Sequence, residues 1–376
     1  MIFNTWAWHV KNDQQFGGIL QSIMSFLHYW RMPLLFLISG AGTYFALGKR
    51  TPVQYLGERF KRLFIPFLAG VFTLVPVQVY MEKAGLYSSL LDFYPHMFEG
   101  IYPEGNFSWH HLWFIVYLFV IALFISPFLN MLRSDRFSRF IIKVEGFVTK
   151  PLALNILMIP LLLSQIILRK YFEVNTNDLF NDGASFALYI IFFLSGFMLL
   201  PNIKITEAIR KQRLLYLAET AVITFLMFWI PSRAGSERTG EIIWDICSIF
   251  VALTCGLTVL GFGKQYLNRD SKFRKLANEA IFPFYLLHQP VIVVIGHFVV
   301  GMHIPVLLKF VLITFTSFTV VAVFYWVIIR RINFLRLVFG MKIIRNWKKE
   351  PEATLVLSQV MAETNRSLSE LRQKAC

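Results

Sequence analysis

The sequence predicts an all-α fold: a polytopic integral membrane protein with about nine transmembrane helices. Three observations predict it. Of 376 residues, 56% are hydrophobic and only 16% are charged, with a mean hydropathy of +0.56. Strongly apolar runs with few charges recur along the chain, most of them 18–26 residues long, and about 20 apolar residues in a helix cross a hydrocarbon core roughly 30 Å thick. Lys and Arg collect in alternate connections. Those at 48–62, 132–150, 202–213, 264–279 and 331–349 hold 25, whereas those at 1–21, 81–109, 170–183, 232–241 and 301–305 hold 5. Such alternation marks a chain that crosses a membrane at each apolar run.

The first run, 22–47, contains "HYWRMPLLFLISG" with His28, Arg31, Pro33 and Gly40. The second, 63–80, follows the basic stretch "GERFKRLFIPF" and includes Pro76. The third, 110–131, opens on "HHLWFIVYL". The fourth, 151–169, holds Pro160; the fifth and sixth are 184–201 and 214–231. The seventh, 242–263, carries Cys247 and Cys255, the eighth, 281–300, carries "FPFYLLHQPV", and the ninth is 306–330. Pro and Gly are tolerated in membrane helices where neighbours satisfy the backbone, and they often border cavities.

The net charge of +15 would prompt a nucleic-acid reading in a soluble chain. Here the positive-inside rule accounts for it, and no nucleic-acid motif competes. The three Cys show neither metal-ligand spacing nor a disulfide framework, so no metal is expected. The same rule places the C-terminus in the cytoplasm and the N-terminus outside. Residues 1–21 have no signal-peptide pattern and read as an external loop, "NTWAWHVKNDQQFGG". Such a loop normally follows an ascending helix, so one helix is expected ahead of Met1. Residues 1–333 form the membrane domain and 334–376 a cytoplasmic tail, in which "LSQVMAETNRSLSELRQKA" reads equally as a weakly amphipathic helix or a frayed end.

Ionisable groups inside membrane segments are costly, so each is a functional candidate. Arg31 and His28 lie in the outer third of the first run, His110 and His111 open the third, and His288 lies about a third of the way up the eighth. A single His is more often an interfacial or packing residue. Arg31 either snorkels to the interface or faces a polar cavity. Arg59 and Arg62, three residues apart, share a face of a regular helix. Two guanidinium forks suit a phosphorylated ligand. By spacing alone, an anchor for lipid headgroups is the stronger reading.

The segments Met32–Phe45, Arg59–Phe67, His110–Val120 and Ile281–Val293 occur in the order seen in acyltransferase family three, which the chain resembles up to about Asn333. The nearest branch is that of the glucan-biosynthesis succinyltransferases. The resemblance implies about ten helices and transfer of an acyl group, acetyl or succinyl, from cytoplasmic acyl-CoA to a hydroxyl of a glycan or similar acceptor. Acyl-CoA is then a donor substrate, and no permanently bound cofactor is implied. It also implies residence in a bacterial inner membrane and a role for Arg59 and Arg62 at the CoA phosphates, with Arg31 and His28 at the outer mouth of the cavity. The family's catalytic His lies on a first helix, expected upstream of Met1. His9 falls in the following loop and does not match that motif. His28, His111 and His288 remain as weak candidates for a base, and the sequence puts His288 nearest the donor side. Transfer by residues 1–376 alone is expected to be negligible. An inactive homologue or accessory subunit, and a transporter or flippase, are the alternative readings.

Overall fold

The fold is that of a computed structural model, which describes residues 2–3, 8–48, 50–132, 134–172, 178–230 and 236–344. Helix dominates, and no strand is present among the described residues. In chain order the helices are α1 (Gly18–Leu47), α2 (Pro52–Glu82), α3 (His110–Leu132), α4 (Asp135–Val148), α5 (Ala153–Leu168), α6 (Gly183–Leu199), α7 (Ile203–Lys211), α8 (Arg213–Trp229), α9 (Arg238–Leu267), α10 (Lys272–Val300), α11 (Val306–Ile329) and α12 (Asn333–Val338). The basic connections meet one another, Glu145 with Lys204, Arg210 with Gln265, Arg336 with Glu279, and Gly48 beside Phe137 and Asn202, which defines the basic end of the bundle; the other is the distal end.

Each of the nine apolar runs becomes helical, and five or six of the described helices meet the length and apolarity that a bilayer crossing requires. Among the described residues, α2, α3, α9, α10 and α11 are long and apolar enough to cross a bilayer, which makes five. A sixth results if α6 and α7, bent by 108° at their junction, count as one broken span. The other helices fall below that measure for local reasons. α1 is 30 residues long, but polar side chains such as His28 and Arg31 dilute its apolarity. The run at 151–169 divides into a 3₁₀ turn, Ala153–Leu157, and an 11-residue helix. α6 and α8 each have 17 residues. The fold class stands: an all-α, multi-pass membrane protein.

α1 packs against α6 and α9 around Phe36, Leu37, Phe197 and Leu253. α1 and α6 touch backbone to backbone. A Cβ on Gly40 would stand 1.9 Å from the Phe193 carbonyl oxygen, and one on Gly196 would stand 1.8 Å from that of Leu37. Membrane helices lack a hydrophobic drive to associate, so close approach at small residues supplies the packing energy instead. A second core joins α2, α3, α10 and α11 through Val79, Ile115, Leu286 and Tyr325.

Prolines free backbone carbonyls in this second unit, and side chains from other segments fill them. Pro76 removes the N–H that would bond the Phe72 carbonyl, and the Tyr94 hydroxyl donates there at 3.2 Å. α4 is pinned across the basic end, where the Glu145 carboxylate accepts from Lys204 Nζ and Asn202 Nδ2, both at 2.8 Å. The start of the tail folds back onto the bundle. Arg336, 4% exposed, donates to Glu279 Oε1 at 2.7 Å and to the Lys342 carbonyl at 2.8 Å. The reading of a tail helix within 350–376 lies outside the described residues.

Candidate active site

Polar side chains gather along one path from mid-bundle to the distal end. At its centre, α10 carries two prolines, and Pro290 leaves the Leu286 carbonyl without its helical donor. His111, buried at the start of α3, donates from Nε2 to that carbonyl at 3.0 Å. Its Nδ1 lies 3.5 Å from Gln78 Nε2 and accepts from it. The Tyr285 hydroxyl donates back to the His111 carbonyl. Both ring nitrogens of His111 are thus engaged, and the residue pins α3 to α10 instead of offering a base.

His288 is different. The sequence expectation puts it near the donor side, a third of the way up a span that starts at 281. The helix starts at Lys272, so His288 falls near its middle, with its ring 5.4 Å from that of His111. Its Nδ1–H donates to the Tyr285 carbonyl at 2.5 Å. That bond fixes the tautomer, and Nε2 has no partner among the described residues. An imidazole oriented at Nδ1 with an open Nε2 has the form a general base requires.

Arg31 belongs to the same site. Its guanidinium lies 3.5 Å from His28 Nδ1, and its charge acts on His288 and on Tyr189. The residue is exposed at the α1 surface, within reach of α6 and α10 through these interactions. His28 is engaged beside it, so Arg31 and His28 sit together and His28 is a weaker base candidate than His288.

Arg59 and Arg62 lie at the basic end, inside α2. A π-turn, Phe60–Phe64, opens directly after Arg59, so the regular α-helical spacing that would put both on one face does not hold. Arg59 donates to Thr43 Oγ1 at 3.3 Å and lies over the Tyr55 ring at 4.9 Å. Arg62 is exposed and makes no hydrogen bond among the described residues. The charges of Arg59, Arg50 and Glu58 all act on it. The pair remains one electrostatic unit with an excess of positive charge. A separate cavity of about 350 Å³, lined by Tyr44, Phe137 and Phe197 among others, lies between α4 and the ends of α1 and α6, away from the histidines.

The distal end brings His110 together with residues that the sequence pattern does not single out. His9, a loop residue by sequence, places Nδ1 2.5 Å from Glu82 Oε2 at the end of α2. Tyr102 O–H donates to the other carboxylate oxygen at 3.2 Å. Burial, helped by that carboxylate, pushes the Tyr102 phenol up to about 12, so it stays a donor at neutral pH. The His9 ring lies 4.4 Å from that of His110, which stands 4.7 Å from Tyr102. His110 has φ 39°, a left-handed conformation uncommon for a residue with a side chain, and its N–H donates to Ser108 Oγ. Strain of that kind concentrates at functional sites. The one available signal was the Trp- and His-rich wording "TWAWH", since the partner Glu82 is 73 residues away.

Comparison with known proteins fits this arrangement. A family model described as "Acyltransferase domain" matches residues 2–326. Among curated relatives, "Glucans biosynthesis protein C" of Escherichia coli strain SMS-3-5 / SECEC is 24% identical over 323 residues, covering 80% of this chain and 78% of the relative. The protein of that name from E. coli strain K12 is 23% identical over 323 residues, with the same coverage. No solved structure gives a significant match. The family model spans most of a helical membrane bundle with an ordered polar centre, and the chain belongs to this acyltransferase family.

Proposed function

We propose that the protein moves an acyl group, acetyl or succinyl, from acyl-CoA at the cytoplasmic, basic end to a hydroxyl of a glycan or similar acceptor that arrives from the distal, outer end. The setting is a bacterial inner membrane, with the N-terminus outside and the C-terminus in the cytoplasm. The observation that carries the reading is His288: an oriented imidazole with an open Nε2 near mid-helix, within the field of Arg31. Arg62, with Arg59 behind it, supplies positive charge for the CoA phosphates.

In this mechanism His288 Nε2 accepts the acceptor's O–H proton as its oxygen attacks the thioester carbonyl. Arg31 stabilises the developing oxyanion. The C–S bond then breaks, and the proton passes from His288 to the leaving thiolate, which gives the O-acyl ester and free CoA. General-base catalysis contributes about 10²–10⁴-fold. The test is His288→Gln in the purified protein in nanodiscs, with CoA affinity and acyl transfer measured separately. Affinity is expected to hold while transfer falls by that factor. Unchanged transfer would remove His288 from the mechanism.

A further inference from the structure

The distal cluster of His9, Glu82, Tyr102 and His110 has no part in the chemistry above, although three separate segments converge to build it. We propose that it is the acceptor subsite, a binding site for a neutral, polyhydroxylated molecule of the carbohydrate class. As an acceptor site it rests on the acyltransferase reading; as a binding site it stands on the geometry of the cluster.

The functional groups select the ligand class. Glu82 is the cluster's one carboxylate, and its side chain is 27% exposed while that of His9 is 4% exposed. A single carboxylate does not make a cation site, and its charge repels an anion. The neighbouring Lys83 is already engaged with the Gly105 carbonyl and Asn106 Oδ1, at 3.1 and 2.7 Å. What remains suits hydroxyl groups. The Glu82 oxygens have lone pairs beyond those used by His9 and Tyr102. A carboxylate that accepts from hydroxyls forms stronger hydrogen bonds than a neutral acceptor. The bond to Glu82 fixes the orientation of the His9 ring and leaves Nε2 for a second polar contact. Tyr102 is a donor. The rings of Trp8, His9, Tyr102 and His110 stand within 4.4–6.1 Å of one another in successive pairs. Such a wall suits the C–H faces of a sugar.

Two further observations point to a ligand. His110 Nε2 and Trp8 Nε1 are buried polar atoms with no hydrogen-bond partner. Buried polar groups are normally satisfied, so unsatisfied ones in an aromatic, carboxylate-bearing cluster need a partner that the protein does not supply. The cluster is also continuous with the acyl-transfer centre. His110 is adjacent to His111, whose ring is 5.4 Å from His288.

The experiment measures binding of a glucose tetrasaccharide and of CoA, separately, to the full chain in phosphatidylcholine nanodiscs. Glu82→Gln is expected to weaken tetrasaccharide binding roughly ten- to a hundredfold, the loss of a charged hydrogen bond. Tyr102→Phe deletes a single surface-side hydroxyl, leaves the ring in place, and is expected to weaken binding about two- to tenfold. CoA affinity is expected to stay unchanged in both variants. Tetrasaccharide binding that survives both substitutions, or that is absent from the wild type, overturns the subsite. Loss of CoA binding in the wild type with tetrasaccharide binding intact would instead overturn the acyltransferase mechanism and leave the subsite standing.

Discussion

His111→Ala tests whether the histidine is a pin, and Pro290→Ala supplies the control. In the wild type the Leu286 carbonyl faces Pro290, which has no N–H, and the His111 Nε2–H fills the vacancy at 3.0 Å. Removing the imidazole strands a buried carbonyl, at a cost of about 1–3 kcal/mol, and opens a small cavity in addition. Replacing Pro290 with Ala restores the helical N–H, so the carbonyl no longer depends on His111. His111→Ala should then cost less by roughly the carbonyl's share. The coupling in the double-mutant cycle should be on the order of 1 kcal/mol, in the direction of rescue. The assay is reversible unfolding of the micelle-bound protein, followed by helical circular dichroism in all four members of the cycle. Equal cost of His111→Ala with Pro or Ala at 290 would refute the carbonyl-filling account. Acyl transfer lost in His111→Ala while stability and CoA affinity hold would refute the assignment of His111 as structural.

The remaining predictions concern packing, the donor, topology and pH. Gly196→Ala, whose new Cβ would meet the Leu37 carbonyl oxygen at 1.8 Å, should destabilise the α1–α6 contact by about 1–3 kcal/mol or more; wild-type melting behaviour would show that the helices can separate at little cost. Arg62→Ala should weaken CoA binding by about 1.5–3 kcal/mol, and Arg62→Lys should recover only part, because Lys lacks the planar fork; unchanged CoA affinity returns the pair to a lipid-anchor role. In a Cys-free background, Gln15→Cys should react with an impermeant thiol reagent from outside and Lys211→Cys only from the cytoplasm; the opposite pattern inverts the proposed topology. Hydrogen bonds from Lys204 and Asn202 hold the Glu145 carboxyl below its usual range. Its contribution to stability is therefore present above the unfolded value of about 4.3 and is lost as pH falls through the folded value. Glu145→Gln should accordingly lower stability at neutral pH and match the wild type in strong acid, as read by melting temperature; a gap that persists at low pH would contradict this.

The sequence by itself determined the class of the molecule and its membrane character. Apolar run length and the alternation of basic loops are one-dimensional quantities, fixed by how a helix meets a bilayer. The helical state of all nine runs, and the isolation of Arg31 and His288 within apolar surroundings, were legible for that reason. Tertiary structure decided what each imidazole does. His111 and His288 are the same residue type, and neighbouring in space though far apart in sequence. One is consumed by a carbonyl that Pro290 orphans on another helix, and the other keeps an open nitrogen because its own helix orients it. Local pattern could not foresee the π-turn that alters the spacing of Arg59 and Arg62, since a π-turn depends on packing around it. Nor could it foresee the bond between His9 and Glu82, which spans 73 residues and exists only because the distal loop folds over the end of α2. Side-chain chemistry is written in the sequence, but hydrogen bonds act over about 3 Å, and only the folded chain brings the partners within that distance.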